Sequence, residues 1–190
     1  MSAEPSWIAL LDAAIETHRH LPTSRYAQLA TVRLDGRPAN RTVVVRGRFE
    51  PGFRPLITTD LRSDKVSELS ATPWAELCWY FSETREQFRL FGKVTLVGAE
   101  GDSKLQAHRH RVWVDLPDAS KRSFVGPAPG VDREADSAFD VAIPESPPDR
   151  FLLLVIDPET VDYLDLRAEP HGRLMSRREG EHWSTRAVNP

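Results

Sequence analysis

The chain has 190 residues, of which 40% are hydrophobic and 28% are charged, a composition typical of a globular protein rather than a disordered or fibrous one. Its net charge of -3 lacks the basic excess that nucleic acids and anionic membranes attract, so we expect neither as a partner. The single cysteine, Cys78, excludes an intrachain disulfide and a multi-cysteine metal site, and it favours a reducing, cytoplasmic location.

The first elements along the chain are predicted to be a helix and a hairpin. Apolar residues recur at helical spacing over 7–15, and the Leu21-Pro22 step closes this segment, which is too short to span a membrane. Segments 26–33 and 38–46 are rich in strand-forming residues. Asp35-Gly36 between them favours a tight turn, so we expect a β-hairpin.

The middle of the chain is predicted to hold a strand, a short helix and a second hairpin. Segment 55–59 is a further β-type run, and Ser63 is a candidate N-cap for a helix that ends at Thr72-Pro73. Segments 74–81 and 85–97 are the strongest strand pair. The second of them alternates apolar and polar residues, as a half-buried strand does.

The last part of the chain begins with two helical segments, at 102–113 and 118–124. Segment 126–149 then holds too many prolines for regular structure, and we expect a long functional or disordered loop there. Turn signals at Asp157-Pro158 and Glu179-Gly180 separate the closing β-type runs. Those runs are 151–156, 161–166, 171–176 and 182–188.

Six or more short strands, with few helices between consecutive ones, predict a mainly β fold with flanking helices (α+β). An antiparallel barrel or sandwich fits this order, whereas a doubly wound parallel sheet does not. At this length we expect a single domain over 1–190.

The sequence lacks the motifs of several common enzyme classes. It contains no dinucleotide-binding glycine fingerprint, no P-loop, no zinc-protease helix motif and no esterase elbow. His18 and His20, like His108 and His110, are two residues apart, which on a helix aims their side chains in different directions. We therefore expect these histidines on exposed polar faces, and we expect no metal site.

A cluster of hydroxyl and basic side chains surrounds the predicted start of the short helix. A helix N-terminus offers free N–H groups and a partial positive charge, which together favour a phosphate group. In an empty helix, the positive charge of Lys65 in the first turn is repelled by the partial positive charge of the N-terminus. A bound phosphate would make the electrostatic energy of the lysine favourable. The alternative is a solvated basic edge. The cluster consists of Arg41, Arg46, Thr58, Thr59, Arg62, Ser63 and Lys65.

Two arginines of this cluster lie on one predicted strand. Arg41 and Arg46 differ by five positions, so a regular strand would point them to opposite faces. A bulge, or a ligand that wraps the strand, is needed for both to touch one ligand.

Several segments resemble motifs of the pyridoxamine 5′-phosphate oxidase family. RTVVVR at 41–46 is similar to the family's R-x-V-L-L-K strand, TTDLRSDK at 58–65 to Y-T-N-x-x-S-R-K, and REQFR at 85–89 to R-Q-V-R. PWAELCWYF at 73–81 resembles the FMN-binding branch found in cyanobacteria and plants, and PHGRLMSR at 170–177 resembles P-H-R-L-H-D-R with one residue inserted. The resemblance implies an antiparallel split β-barrel that binds FMN between the subunits of a homodimer.

Carried onto this chain, the resemblance implies a set of cofactor-binding residues. Arg41, Ser63 and Lys65 would hold the FMN phosphate, with support from Thr58 and Thr59. Residues 42–44 would line the flavin, and Gln87 would contact its ring. Arg62 would replace the family arginine that is Asp64 here. The full implied set is Arg41, Thr42, Val43, Val44, Thr58, Thr59, Arg62, Ser63, Lys65, Gln87 and Arg177.

The resemblance also implies an activity, the oxidation of pyridoxamine or pyridoxine 5′-phosphate to pyridoxal 5′-phosphate with O2. Arg46 and Arg173 would then grip the substrate phosphate as the catalytic pair, although Met175 replaces the family's substrate-contacting histidine. Two alternatives stay open. One is an FMN-dependent reductase of another small molecule, and the other is a non-catalytic flavin- or haem-binding protein.

Overall fold

The structure, a computed structural model, describes residues 6–190. Its helices are α1 (Ser6–Thr17), α2 (Asp64–Ala71), α3 (Ser103–Asp115) and α4 (Asp118–Val125). Its strands are β1 (Tyr26–Val32), β2 (Pro38–Phe49), β3 (Arg54–Asp60), β4 (Trp74–Phe81), β5 (Glu86–Val97), β6 (Phe151–Asp165), β7 (Gly172–Glu179) and β8 (His182–Ala187).

All eight strands belong to one antiparallel sheet in the order β3-β2-β1-β4-β5-β6-β7-β8. A further pairing of β3 with β6 closes the first six strands of that order into a barrel, and β7 and β8 extend the sheet from β6. Closure leaves those six strands without a free edge. The predicted mainly β, antiparallel barrel with flanking helices is confirmed.

The barrel interior is filled by alternate residues of its strands. Leu29, Leu77 and Phe88 are fully buried there, and Trp7 and Leu11 on one face of α1 pack against the same cluster. A second cluster lies under α3 and α4, where the rings of Trp113, Phe124 and Phe151 contact one another.

One strand prediction is wrong. Segments 151–156 and 161–166 are not separate strands, because β6 runs through the Asp157-Pro158 step. Pro158 lies opposite Gly92, where the register between β5 and β6 shifts. A Cβ on Gly92 would lie 2.1 Å from the carbonyl oxygen of Asp157, so the glycine permits a close approach of the two backbones. This irregularity accommodates a proline that cannot donate to the ladder.

The prediction that His18 is exposed is also wrong. His18 is 1% exposed and follows α1. Its Nδ1 donates to the carbonyl oxygen of Ala14 at 2.8 Å, and its Nε2 accepts from the backbone N–H of Glu83 at 3.1 Å. The ring therefore ties the end of α1 to the turn between β4 and β5. His20 is exposed, as expected.

The proline-rich segment between α4 and β6 is irregular apart from one 3₁₀ turn, Asp136–Phe139. Two buried side chains of α3 fix its end: Arg109 donates to the carbonyl oxygen of Pro148 at 2.6 Å, and Trp113 Nε1 donates to that of Pro144 at 3.1 Å. Among the described residues, no helix is long and apolar enough to cross a membrane.

Candidate functional site

The end of β3 and the start of α2 bring two hydroxyl groups and an ammonium group together. Thr59 Oγ1 and Ser63 Oγ lie 3.0 Å apart, and Lys65 Nζ donates to each of them at 3.1 Å. Ser63 is the N-cap of α2, and its hydroxyl makes no capping hydrogen bond to the helix. The helix N-terminus therefore presents its first N–H groups beside three side chains that can donate to an anion.

The electrostatics of Lys65 favour an anion beside it. Burial, followed by the positive charge of nearby Arg41, lowers the pKa of the Lys65 ammonium, and the carboxylates of the region offset this only in part. A phosphate would raise the pKa of the lysine again and accept hydrogen bonds from it and from the hydroxyls. This cluster, formed by Thr59, Ser63, Lys65 and Arg41, is called the phosphate cradle below.

Arg41 is held at the phosphate cradle by a buried carboxylate. Its guanidinium forms an ion pair with Glu68 on α2 at 2.8 Å and donates to the hydroxyl of Thr31 on β1. Thr31 in turn donates to Glu68 at 2.6 Å. Burial alone would raise the pKa of Glu68, but the hydrogen bonds from Thr31 and Arg41 and the charge of Arg41 lower it. Glu68 thus stays ionised and locks α2 onto the barrel.

Two other residues predicted to bind the phosphate, Arg62 and Thr58, are not part of the phosphate cradle. Arg62 is committed to neighbours, because it forms an ion pair with Asp60 at 2.7 Å and donates to the carbonyl oxygen of Gly126 at 3.1 Å. It therefore joins the end of β3 to the proline-rich segment. Thr58 precedes Thr59 on β3, so strand alternation directs its side chain to the opposite face.

The predicted flavin-lining stretch of β2 alternates between the two faces of the sheet. Val43 is 7% exposed and belongs to the barrel core, so only its backbone is available to a ligand. The exposed Thr42 and the half-buried Val44 have the opposite orientation and lie on the outer face.

A row of outward side chains crosses the sheet on this outer face. Gln87 lies opposite Tyr80 on β4 and Leu164 on β6, and Leu164 lies opposite Arg173 on β7. Two strand spacings, about 10 Å, separate Gln87 from Arg173. Arg177 lies four positions further along β7 and is exposed.

Arg46 lines a cavity of about 440 Å³ next to a β-bulge. The register of β2 against β3 shifts after Val45, and Gly47 has a φ of 115°, a conformation that favours glycine. Arg46 Nε is buried with no hydrogen-bond partner within residues 6–190. Burial, followed by the charge of Arg25, lowers the pKa of Arg46. The cavity thus holds a buried, unpaired donor beside a second cation.

The structure does not join Arg41 to Arg46. Arg41 contacts β1 and α2 at the phosphate cradle, whereas the walls around Arg46 are mostly apolar. Those apolar walls include Ile15, Val45, Phe53, Trp79, Val112 and Leu116.

Arg173 is held by a second buried carboxylate. Asp162 on β6 accepts from Arg173 Nε at 3.0 Å and from Arg173 Nη2 at 2.7 Å, and it also accepts from Arg89 on β5. The hydrogen bonds from Arg173, followed by those of Arg89, lower the pKa of Asp162 against the opposing effect of burial.

The sequence interpretation missed both buried carboxylates. Glu68 gave no local signal, because its partners Thr31 and Arg41 lie on strands far away along the chain. Asp162 gave none either, because its contacts depend on the pairing of β6 with both β5 and β7.

Comparison with known proteins gives one consistent family. Residues 4–98 match the family model described as "Pyridoxamine 5′-phosphate oxidase, FMN-binding domain". The chain is 41% identical over 192 aligned residues to "Pyridoxine/pyridoxamine 5′-phosphate oxidase 2" of Arabidopsis thaliana, with 97% of this chain and 96% of the relative covered. It is 31% identical to the pyridoxine/pyridoxamine 5′-phosphate oxidase of Thermosynechococcus vestitus, with 90% of this chain and 81% of the relative covered.

Solved structures agree with this result. A pyridoxamine 5′-phosphate oxidase-related, FMN-binding protein from Nostoc punctiforme has a TM-score of 0.93 and 42% identity, with 100% of both chains covered. PhzG from Burkholderia lata, solved in complex with tetrahydrophenazine-1-carboxylic acid, has a TM-score of 0.80 with 98% and 94% covered. At 22% identity, that second likeness shows the fold alone.

Proposed function

Because the chain belongs to the family of pyridoxamine 5′-phosphate oxidase FMN-binding domains, we propose that it oxidises pyridoxamine and pyridoxine 5′-phosphates to pyridoxal 5′-phosphate with O2. FMN is the cofactor of this family, and the chain is an FMN-dependent oxidoreductase. The observation that carries the proposal is the phosphate cradle, where an ammonium, two hydroxyls and an anchored guanidinium meet a helix N-terminus.

The phosphate cradle fits the FMN phosphate. Lys65 and the first N–H groups of α2 would donate to the phosphate oxygens, and the hydroxyls of Thr59 and Ser63 would donate as well. Arg41 contributes its charge while Glu68 holds it in place. These groups keep their positions through contacts within the chain, so binding requires little rearrangement.

The remaining flavin residues point to a homodimer. Thr59 pairs with Leu152 of β6, whereas Gln87 pairs with Leu164 of the same strand. Twelve residues of strand separate these positions, a path of roughly 40 Å. This path is longer than one FMN molecule. We therefore infer that Gln87 and Arg173 reach the flavin whose phosphate lies in the partner's phosphate cradle.

We assign substrate binding to Arg46 and Arg173, which lie outside the phosphate cradle. When bound, FMN would supply the two-electron redox chemistry, with O2 as the final acceptor. Arg46 offers a buried Nε that an anionic oxygen would satisfy. Arg173 presents a guanidinium from the outer face of β7. Holding the substrate between these two cations is how this chain would orient its C4′.

A second candidate activity is the reduction of another anionic small molecule by FMN. The apolar walls beside Arg46, including Trp79, Val112 and Leu116, favour it, because they suit the apolar body of a ligand, and the carboxylate of Asp115 in the same lining is unfavourable for a phosphate. Met175 on β7, in place of a polar substrate contact, agrees with it.

The test is a visible spectrum of the purified protein, followed by FMN titration and anaerobic addition of pyridoxamine 5′-phosphate. Bleaching of the flavin band with formation of pyridoxal 5′-phosphate is the expected result. Bleaching by a nicotinamide cofactor alone would favour the reductase instead. The variant Arg46→Met should retain FMN and raise the KM for pyridoxamine 5′-phosphate, whereas the exposed Lys93→Met should leave both unchanged.

A further inference from the structure

Asp162 is a buried carboxylate shared by two arginines on the outer face of the sheet. Its side chain is 11% exposed. Both oxygens face Arg173, which donates from Nε at 3.0 Å and from Nη2 at 2.7 Å, and Oδ2 also accepts from Arg89. Arg89 reaches Glu76 on β4 at 3.7 Å through its other terminal nitrogen.

The strand register explains this contact. Asp162 lies opposite Arg89 on β5 and opposite Met175 on β7. Val161 and Tyr163 on either side of it are buried in the barrel, so Asp162 points to the outer face. Arg173 lies two positions from Met175 on the same face and must lean along β7 to reach the carboxylate.

The contact leaves one edge of Arg173 available. Its Nε and Nη2 edge is bound to Asp162, and within residues 6–190 its Nη1 has no hydrogen-bond partner. An arginine side chain is flexible, and fixing it before the ligand arrives removes part of the entropy cost of binding. Asp162 therefore fixes the direction in which Arg173 presents its remaining donors.

We propose that Asp162 is a positioning residue, which holds Arg173 so that its free edge meets the anionic substrate. This inference rests on the proposed function in one respect, namely that Arg173 binds the anion of the substrate. Asp162 itself touches neither substrate nor cofactor.

A second ion pair between β6 and β7 provides a matched control. Asp157 accepts from Arg178 at 2.8 Å on the same two strands. The Asp157 side chain is 42% exposed and binds one arginine, whereas Asp162 is buried between two. Asp157→Asn and Asp162→Asn thus remove the same charge and change the same atom.

The kinetic test measures kcat and KM for pyridoxamine 5′-phosphate in the holoprotein. Asp162→Asn should raise KM roughly 10-fold with a smaller change in kcat. Asp162→Glu, which keeps the charge, should raise KM less than Asp162→Asn does. Asp157→Asn should behave as the unmodified protein. In an Arg173→Ala background, Asp162→Asn should add nothing, because the residue through which it acts is gone. Additive effects of the two changes would overturn the proposal.

A structural test does not depend on activity. In ¹H–¹⁵N spectra of the holoprotein, the Nε–Hε signal of Arg173, assigned through its loss in Arg173→Lys, should be protected from solvent exchange. Asp162→Asn should remove this protection, and Asp157→Asn should not. Protection that survives in Asp162→Asn would overturn the proposal even if the kinetics agreed. If the unmodified protein does not oxidise pyridoxamine 5′-phosphate, the proposed function fails, and the positioning role is decided by this signal alone.

Discussion

Replacing Lys65 by methionine isolates the contribution of the phosphate cradle. The side chain keeps its length but loses its charge and its donors to Thr59 and Ser63, each at 3.1 Å. A hydrogen bond to a charged group contributes about 1.5 to 3 kcal/mol. The dissociation constant of FMN should therefore rise roughly 10- to 100-fold.

Without ligand, two effects of this substitution oppose each other. Removing a cation from the first turn of α2 relieves its unfavourable interaction with the helix dipole, about 0.3 to 1 kcal/mol. Losing the hydrogen bonds from the ammonium to the hydroxyls costs more, about 1.5 to 3 kcal/mol. The free energy of unfolding of the apoprotein should thus fall by roughly 0.5 to 3 kcal/mol.

The assay is fluorescence titration of the apoprotein with FMN and, separately, with riboflavin, which lacks the phosphate. Lys65→Met should weaken FMN binding and leave riboflavin binding unchanged. Lys93→Met, an exposed lysine on β5, serves as the charge-matched control and should change neither. An equal loss of affinity for both ligands would show that Lys65 supports the fold of the site and does not hold the phosphate.

Three further predictions concern stability. The pKa of Asp162 is lowered in the folded protein. Its stabilising contribution is therefore present above the unfolded pKa of about 3.9 and is lost as pH falls through the lower folded pKa. In urea unfolding, the difference in stability between the unmodified protein and Asp162→Asn should shrink only below about pH 4. Gly92→Ala would place a Cβ 2.1 Å from a carbonyl oxygen and should cost roughly 3 kcal/mol or more, whereas Gly98→Ala, at 3.5 Å from a side-chain methyl, should cost far less in the same assay. His18→Leu leaves a backbone N–H without its acceptor and should cost about 1 to 3 kcal/mol in thermal unfolding, against little change for the exposed His20→Leu.

Local patterns in the sequence predicted most of the barrel. The Asp35-Gly36 turn and the alternation along β5 each depend on a few neighbouring residues, and the structure places a hairpin and a strand there. The division of β6 failed for the opposite reason. Asp157-Pro158 is a turn signal in isolation, and only Gly92, remote in the chain, makes a continuous strand possible there.

The same distinction applies to the candidate site. The phosphate cradle draws three of its residues from 59–65, so the sequence could indicate a helix N-terminus surrounded by donors. The surroundings of the predicted substrate arginines could not be predicted, because Arg173 meets Asp162 only through the pairing of β6 with β7. The burial of His18 could not be predicted for a similar reason, since its role as an acceptor depends on the distant turn at Glu83.

The separation along β6 predicts that two impaired variants restore each other. If one site takes its phosphate cradle from one subunit and its ring contacts from the partner, Lys65→Met and Arg173→Ala damage different halves. A mixed dimer then contains one doubly damaged site and one intact site. Random mixing makes half of the dimers mixed, so about a quarter of the sites should regain activity. Unfolding and refolding the two variants together, with each refolded alone as the control, measures this fraction. If each site belonged to a single subunit, every site in a mixed dimer would carry one substitution, and activity would not return.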